Sequence, residues 1–201
     1  MSTFIFLWLQ NQTFYSQLQH DVLSPIPATN TSQSWADIGC STGLITRLAQ
    51  KLHYKVIGYD INHFSLLVAK LLSKNITYKN EDFHTLNTKF DIVSATSLLS
   101  VVEDKKQSLA KLISLLKDEN SILIIIEPSE NMLRQNVWKQ IDSIKSFWFY
   151  KGLILWAKAR EGKHIDNTLF NDLEGVHMTQ KYYLHDMVCI TYIQIEKKPA
   201  I

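Results

Sequence analysis

The segment that restricts the fold most strongly is a short apolar run that turns at two glycines into a helical pattern. Residues 35–44 read Trp-Ala-Asp-Ile-Gly-Cys-Ser-Thr-Gly-Leu, with glycines at positions 39 and 43. Glycine at a strand-to-helix turn lets the backbone approach a ligand closely, and the helix start adds unpaired N–H groups. A second apolar run, residues 55–60, ends in Asp60. A glycine turn followed by an acidic strand end predicts an α/β sheet that binds a nucleoside-bearing cofactor.

The spacing of the two glycines indicates which cofactors are unsuitable. Residues 37–43 have the pattern Asp-x-Gly-x-x-x-Gly, whereas nicotinamide dinucleotide sites carry Gly-x-Gly-x-x-Gly around the pyrophosphate. The pattern therefore disfavours a nicotinamide-dependent enzyme.

Strand and helix patterns alternate along the first two thirds of the chain. This alternation predicts a parallel sheet with right-handed crossovers. Two later strand-like runs, residues 175–184 and 187–196, are separated by too few residues for a crossover, so they predict an antiparallel hairpin. The predicted helices are 4–23, 44–52, 64–72 and 104–118, and the earlier predicted strands are 34–38, 55–59, 76–78, 90–95 and 121–126.

Composition predicts one ordinary globular domain. The chain has 201 residues, of which 46% are hydrophobic and 20% charged, and its net charge of +2 gives no argument for nucleic acid. Cys40 and Cys189 fit neither a metal site nor a disulfide framework, and the histidines lack metal-ligand spacing. We therefore predict no metal and a cytoplasmic location. The apolar run 4–9 is too short for a membrane span and lacks the flanks of a signal peptide.

Four segments, each at a predicted strand end, resemble the motifs of class I S-adenosylmethionine-dependent methyltransferases in their usual order. They are residues 37–43, 59–61, 80–83 and 90–104. The last of them is similar to the ubiquinone/menaquinone-type and related small-molecule methyltransferases. The resemblance implies an α/β, Rossmann-like fold: a seven-stranded, mostly parallel sheet with helices on both faces and a C-terminal antiparallel hairpin. It also implies S-adenosylmethionine as cofactor and S-adenosylhomocysteine as product, with no pyrophosphate to bind.

The resemblance implies a set of cofactor-binding residues. Asp37 would hold the glycine turn, Asp60 would accept hydrogen bonds from both ribose hydroxyls, and Asp82 would accept one from the adenine amino group. The other implied contacts are backbone at Gly39, Cys40 and Gly43 beside the methionine part, Ile61 and Phe83 beside the adenine, and backbone near Ala95 and Thr96 at the methionine amino group. From the residues alone, Asp60 has an alternative role as the cap of the following helix.

The expected organisation is one methyltransferase domain over residues 1–201. Its predicted parts are an N-terminal helix and loop (1–30), a cofactor-binding core (30–130), an aromatic and basic helical insertion or cap (131–165) and the hairpin (170–198).

Residues 131–163 allow three interpretations. The segment holds seven basic and two acidic residues, with Gly152 predicted to separate two helices and an apolar stripe that includes Val137, Ile141, Ile144 and Trp148. The three interpretations are a plain core helix, a cap over the active site suited to an aromatic or anionic molecule, and a basic surface for RNA or a membrane.

The predicted function is transfer of a methyl group to a small-molecule acceptor by in-line displacement. The alternatives are an RNA or protein methyltransferase and a non-catalytic nucleoside-binding module of the same fold. Residues 94–97 read Ser-Ala-Thr-Ser where methyltransferases of nucleic-acid amino groups carry Asn/Asp-Pro-Pro-Tyr, so DNA is not an expected partner. No catalytic residue is assigned, although His164, His177 and His185 are candidate bases late in the chain.

Overall fold

The computed structural model describes residues 3–139 and 147–197, which form a mixed sheet of seven strands with helices on both sides. The strands are β1 (Ser34–Ile38), β2 (Lys55–Tyr59), β3 (Thr77–Lys79), β4 (Ile92–Thr96), β5 (Ile122–Pro128), β6 (Val176–Tyr183) and β7 (Val188–Ile195). Their order in the sheet is β3-β2-β1-β4-β5-β7-β6. The first five strands pair in parallel, and β7 runs antiparallel to both β5 and β6. The predicted parallel sheet with a C-terminal hairpin is confirmed.

Helices cover both faces of this sheet, as predicted. They are α1 (Thr3–Gln10), α2 (Thr13–Leu23), α3 (Leu44–Lys51), α4 (His63–Leu72), α5 (Lys105–Ser114), α6 (Arg134–Lys139) and α7 (Phe147–Arg160), and there are short 3₁₀ helices at Phe83–Thr85 and Asn167–Phe170. None of the helices found in the described part of the chain has the length and apolar character needed to cross a bilayer.

The core consists of two large apolar clusters on opposite faces of the sheet. One contains Trp35 and Ile124 with residues of α1, α2, α3 and α7. The other contains Ala36 and Leu123 with residues of α5 and of both 3₁₀ helices. Successive residues of a strand point to opposite faces, so adjacent positions of β1 and of β5 enter different clusters. Strand β5 has no polar alternation because both of its faces are covered.

The helix predicted over residues 4–23 is in fact two helices. Side-chain amides of Asn11 and Gln12 donate to the carbonyls of Leu7 and Trp8, at 2.9 and 3.1 Å. Such local side-chain bonds compete with continuation of the helical ladder. Gln12 adopts an extended conformation at the start of α2, so α1 ends before α2 begins, a break that periodicity alone did not reveal.

The predicted helix 104–118 is shorter at its C-terminal end. Asp104 caps α5 by accepting from the Gln107 N–H at 2.8 Å, but the helix ends at Ser114. The carbonyl of Leu115 accepts from the Phe90 N–H at 2.8 Å, and Phe90 pairs with Leu116. The chain leaves the helix because these residues pair with the segment that leads into β4.

The prediction that Gly152 separates two helices is wrong. Gly152 lies within α7, and a Cβ atom there would stand 2.9 Å from Cε1 of Phe14 on α2. The glycine therefore serves close packing between α2 and α7 rather than a turn. In the predicted apolar stripe, Val137 is buried and Trp148 is 60% exposed. Ile141 and Ile144 lie outside the described residues, so the stripe stays a prediction there.

Gly152→Ala is expected to lower the free energy of unfolding by about 1–2 kcal/mol. Overpacking against the buried Phe14 ring costs about 1–3 kcal/mol, and it outweighs the helix-propensity gain of roughly 1 kcal/mol. Chemical denaturation followed by circular dichroism measures the change. Lys158→Ala, at an exposed position of the same helix, is the control. Stabilisation by Gly152→Ala would contradict the packing role.

Candidate active site

A cavity of about 850 Å³ lies at the carboxyl ends of β1, β2 and β4. Gly39 follows β1, Asp60 follows β2 and Thr96 ends β4, and all three border it. Thr3 and Phe6 of α1 also border the cavity. Ligands of open α/β sheets bind at this edge, and the volume is in the range of sites for drug-sized molecules. The structure therefore brings the predicted glycine turn and the predicted acidic strand end to one place.

The two glycines of the turn have different surroundings. Both adopt left-handed conformations, with φ of 68° at Gly39 and 75° at Gly43, a region that strongly favours glycine. The backbone N–H groups of Gly39 and Cys40 donate to the carbonyl of Tyr59 at 2.8 and 3.0 Å. Gly39 borders the cavity. Gly43 faces Tyr78 instead, because a Cβ atom there would lie 2.4 Å from the tyrosine hydroxyl oxygen.

Asp37 lies beneath the turn, with only 2% of its surface exposed. The Thr46 hydroxyl donates to Oδ2 at 2.6 Å and the Ser94 hydroxyl donates to Oδ1 at 2.9 Å. Ser94 Oγ in turn accepts from Nε1 of Trp35 at 2.8 Å. Burial raises the pKa of Asp37 from its ordinary 3.8 to about 6, although the bonds from Thr46 and Ser94 lower it. This network fixes β1, β4 and α3 relative to one another below the cavity.

Asp60 places its carboxylate at the cavity edge. Its Oδ2 accepts from the Ser41 N–H at 2.8 Å, and its Oδ1 accepts from the Asn62 N–H at 2.7 Å. Burial raises the pKa of Asp60, and these two backbone N–H groups oppose the rise. The cap of α4 is Asn62, whose Oδ1 accepts from the Ser65 N–H at 3.0 Å. Asp60 is thus not the helix cap that the sequence left open, and each oxygen retains acceptor capacity.

Three further predicted residues border the side of the cavity beyond β2. Asp82 begins a 3₁₀ helix and accepts from the His84 N–H at 3.0 Å through Oδ1. Phe83 is buried with its ring centroid 4.1 Å from that of His84. Ile61 is 76% exposed at the cavity border. This side therefore offers a carboxylate oxygen and apolar surface together.

Cys40 and Ala95 take part in packing. Ala95 is fully buried and does not border the cavity, whereas the neighbouring Thr96 does. Cys40 is 5% exposed, and burial raises the pKa of its thiol, as do the charges of Asp37 and Asp60. Its Sγ lies 2.8 Å from where a Cβ atom at Gly58 would stand. Cys40 is accordingly a small packing residue beneath the turn.

Thr96 and Ser97 bring two buried hydroxyls to the end of β4. Thr96 Oγ1 and Ser97 Oγ have no hydrogen-bond partner among the residues that the structure describes. Ser97 has φ of 52°, and its N–H donates to the Ile126 carbonyl at 2.7 Å. Both residues border the cavity, so the β4 end offers polar groups to a ligand.

A second, much smaller recess of about 20 Å³ shares Gly39, Ser41 and Thr96 with the main cavity. It is bordered by Asp37 below and by Gln19 of α2 on the other side. The N-terminal helices thus contribute to the site, which the sequence patterns did not indicate.

The late part of the chain contributes other residues to the cavity than the predicted candidate bases. Within the described residues, His164, His177 and His185 are not among those that border the cavity. His84 does border it and was not predicted. Of the basic residues in segment 131–163, Arg160 and Lys163 border the cavity.

Glu127, in β5, is a fully buried carboxylate that the sequence analysis did not single out. Its oxygens accept from the N–H groups of Leu99 and Ser100, at 2.7 and 3.3 Å. Burial raises its pKa from the ordinary 4.5 to about 7, and hydrogen bonds and the Arg160 charge lower it in part. Glu127 thereby holds the loop after β4 that forms one side of the cavity.

Comparison with known families agrees with this geometry. A family model described as a methyltransferase domain matches residues 31–181. The chain belongs to this methyltransferase family. The sequence resemblance to class I S-adenosylmethionine-dependent methyltransferases is thereby confirmed, and with it the assignment as an enzyme. No curated protein matches the chain in sequence.

Solved methyltransferase structures share the fold. The N-methyltransferase NodS from Bradyrhizobium japonicum WM9, in complex with S-adenosylhomocysteine, is 14% identical with a TM-score of 0.66, over 94% of this chain and 91% of NodS. The plantazolicin methyltransferase BamL, in complex with a triazolic desmethylPZN analog and S-adenosylhomocysteine, is 14% identical with a TM-score of 0.64, over 97% and 91%. The plantazolicin methyltransferase BpumL, in complex with S-adenosylhomocysteine, is 15% identical with a TM-score of 0.60, over 97% and 85%. At these identities the likeness is one of fold.

Proposed function

We propose that this methyltransferase transfers the methyl group of S-adenosylmethionine to a small anionic acceptor in the 850 Å³ cavity. The proposal depends mainly on one observation. Gly39, Asp60 and Asp82 border the same cavity, and the chain belongs to the methyltransferase family.

The residues around the cavity fit the nucleoside part of the cofactor. Asp60 retains an acceptor site on each oxygen, which suits the paired ribose hydroxyls. Asp82 uses one oxygen for the His84 N–H, and its other oxygen would accept from the adenine amino group. Ile61 and Phe83 border the cavity and supply apolar surface for the base.

The chemistry requires positioning more than side-chain reactivity. S-adenosylmethionine would supply a methyl carbon on a sulfonium, to which the acceptor would bond in line as the carbon–sulfur bond breaks and S-adenosylhomocysteine leaves. The turn at Gly39 and the hydroxyls of Thr96 and Ser97 would orient the two reactants and limit access of water. Holding reactants in line contributes as much as about 7–11 kcal/mol to lowering the barrier.

Two basic residues at one end of the cavity support an anionic acceptor. The acidic groups that border the cavity are Asp60, Glu81 and Asp82, on the side proposed for the nucleoside, and Glu103 and Asp104, next to the start of α5. The α7 end instead brings Arg160 and Lys163 to the cavity. Arg160 Nε is buried and has no hydrogen-bond partner within residues 3–139 and 147–197. A guanidinium with a free, desolvated donor is suited to a carboxylate or a phosphate.

The same charges support a small molecule over RNA. Of the other basic residues in segment 131–163, Arg134 is paired with Glu161 at 2.7 Å. Arg160 and Lys163 border the cavity. An RNA-binding face needs a continuous basic surface, and this arrangement does not favour one.

Asp60→Ala is expected to weaken binding of S-adenosylhomocysteine by about 1–3 kcal/mol, the scale of a lost charge-assisted hydrogen bond. Isothermal titration calorimetry measures the change. Asp166→Ala is the matched control, because Asp166 also accepts from a backbone N–H, that of Thr168 at 2.8 Å, but does not border the cavity. Unchanged affinity in a folded Asp60→Ala protein would contradict the ribose role.

Measurements of turnover test whether the methyl acceptor is anionic. The wild-type protein is incubated with S-adenosylmethionine and matched pairs of small molecules that differ by one carboxylate or phosphate. Formation of S-adenosylhomocysteine with the anionic members supports the proposal. A uniform preference for the neutral members would overturn the anionic assignment.

A further inference from the structure

Two residues of α2 carry buried polar atoms that the fold does not use. Tyr15 is 1% exposed and Gln19 is 0% exposed. The Tyr15 hydroxyl and both amide atoms of Gln19 have no hydrogen-bond partner among the described residues. Each unsatisfied buried group costs about 1–3 kcal/mol, and such groups are rare in native proteins. Three such atoms one helical turn apart indicate a binding site for a polar group.

The position of these atoms relates them to the cofactor cavity. Tyr15 and Gln19 border the 20 Å³ recess, which shares Gly39 and Thr96 with the main cavity. Thr96 Oγ1, which also lacks a partner, belongs to the same recess. The recess therefore adjoins the main cavity at the glycine turn that follows β1.

The end of α1 is fixed over this recess. The Thr42 hydroxyl donates to Oε1 of Gln10, the last residue of α1. Gln10 is 6% exposed and borders the recess. The hydrogen bond between Thr42 and Gln10 therefore joins the glycine turn directly to α1, and Gln10 forms part of the border of the recess.

The chemistry of the unpaired atoms points to one kind of ligand group. The Gln19 amide offers an acceptor and donors side by side, and the Tyr15 hydroxyl adds another donor. An α-amino-carboxylate presents the complementary pair, because its ammonium donates and its carboxylate accepts. We propose that Gln19 and Tyr15 bind the amino-carboxylate end of S-adenosylmethionine. This assignment rests on the proposed function, in which the nucleoside of the same molecule lies against Asp60 and Asp82.

The size of the recess limits how much of the ligand enters it. A space of about 20 Å³ admits one polar group of the size of a water molecule. One carboxylate oxygen or the ammonium group would enter, while the remainder of the methionine chain stays in the main cavity beside Gly39. The competing occupant of the recess is a structural water molecule.

The test compares two ligands on one variant. S-adenosylhomocysteine and 5′-methylthioadenosine share the nucleoside and the thioether sulfur, but only the first carries the amino-carboxylate. Gln19→Met keeps the length of the side chain and removes its hydrogen-bonding atoms. We expect calorimetry to show about a tenfold or larger loss of affinity for S-adenosylhomocysteine and a change below about twofold for 5′-methylthioadenosine.

Stability of the ligand-free protein gives a second readout. Replacing an unsatisfied buried amide by an apolar group of similar shape is neutral or stabilising. The melting temperature of ligand-free Gln19→Met is therefore expected to equal or exceed that of the wild type. Gln17→Met is the control, because Gln17 is exposed on the same helix and bonds to Asp21 at 2.7 Å.

The outcomes separate this inference from the proposed function. Failure of the wild type to bind either ligand would overturn the proposed function itself. Binding of both ligands by the wild type, with Gln19→Met weakening both equally or neither, would overturn the role of Gln19 and leave the nucleoside site intact. A loss confined to S-adenosylhomocysteine supports the assignment.

Discussion

Trp35→Ala is expected to lower the free energy of unfolding by about 3–5 kcal/mol, the cost typical of removing a large buried aromatic side chain. Trp35 is fully buried, and its ring meets Tyr54 edge to face with centroids 5.2 Å apart. The substitution also removes the donor to Ser94 Oγ, the hydroxyl that holds Asp37. Urea unfolding followed by circular dichroism measures the loss.

Two further variants test whether burial of the Trp35 indole causes this loss of unfolding free energy. Trp35→Phe keeps most of the apolar volume but not the indole N–H, so we expect an intermediate effect together with weaker cofactor binding through the Asp37 network. Trp138→Ala is the control, because Trp138 is 56% exposed and contacts Tyr150 at 5.3 Å between ring centroids. Its expected cost is below about 1 kcal/mol. Equal losses at the two tryptophans would contradict the burial argument.

Glu127 is expected to make the stability of the protein fall as the pH rises. Its pKa is raised by burial from 4.5 to about 7 in the folded protein, so the folded protein holds this proton more tightly than the unfolded chain. Below pH 4.5 both states are protonated. Between pH 4.5 and 7 the unfolded chain ionises first, and the free energy of unfolding decreases until both states are ionised.

Glu127→Gln isolates this effect because glutamine does not titrate. We expect the stability of the wild type relative to Glu127→Gln to fall by about 2–4 kcal/mol between pH 5 and pH 8, from roughly 1.4 kcal/mol for each unit of raised pKa. Unfolding free energies at several pH values measure the difference, and Asp37 titrates in both proteins. Glu119→Gln, at an exposed position, is the control. Parallel pH profiles of wild type and Glu127→Gln would contradict the prediction.

The sheet could be predicted closely because its signals are local. The strands predicted at 34–38 and 55–59 have the same bounds in the structure, since each is a short apolar run between residues that favour turns. The errors arose where an individual side chain overrode the local pattern. The amides of Asn11 and Gln12 divide one predicted helix, and the proximity of Phe14 explains a glycine inside α7.

The site was predictable where a motif lies at a strand end. Asp60 and Asp82 reach the cavity because parallel strands bring their carboxyl ends together. The contributions of Tyr15, Gln19 and Arg160 depend on how distant helices pack, which no spacing in the sequence specifies. One signal for Gln19 was present, since it follows Leu18 on the buried face of α2, where a polar residue needs a partner.

The walls of the cavity also determine when it can form. They include Thr3 near the start of α1 and Lys163 just after α7, so residues far apart in the sequence enclose one space. A chain emerging from the ribosome would complete the glycine turn and both carboxylate positions well before α7 is synthesised. The complete cavity therefore exists only once α7 has been synthesised and has packed against the rest of the domain.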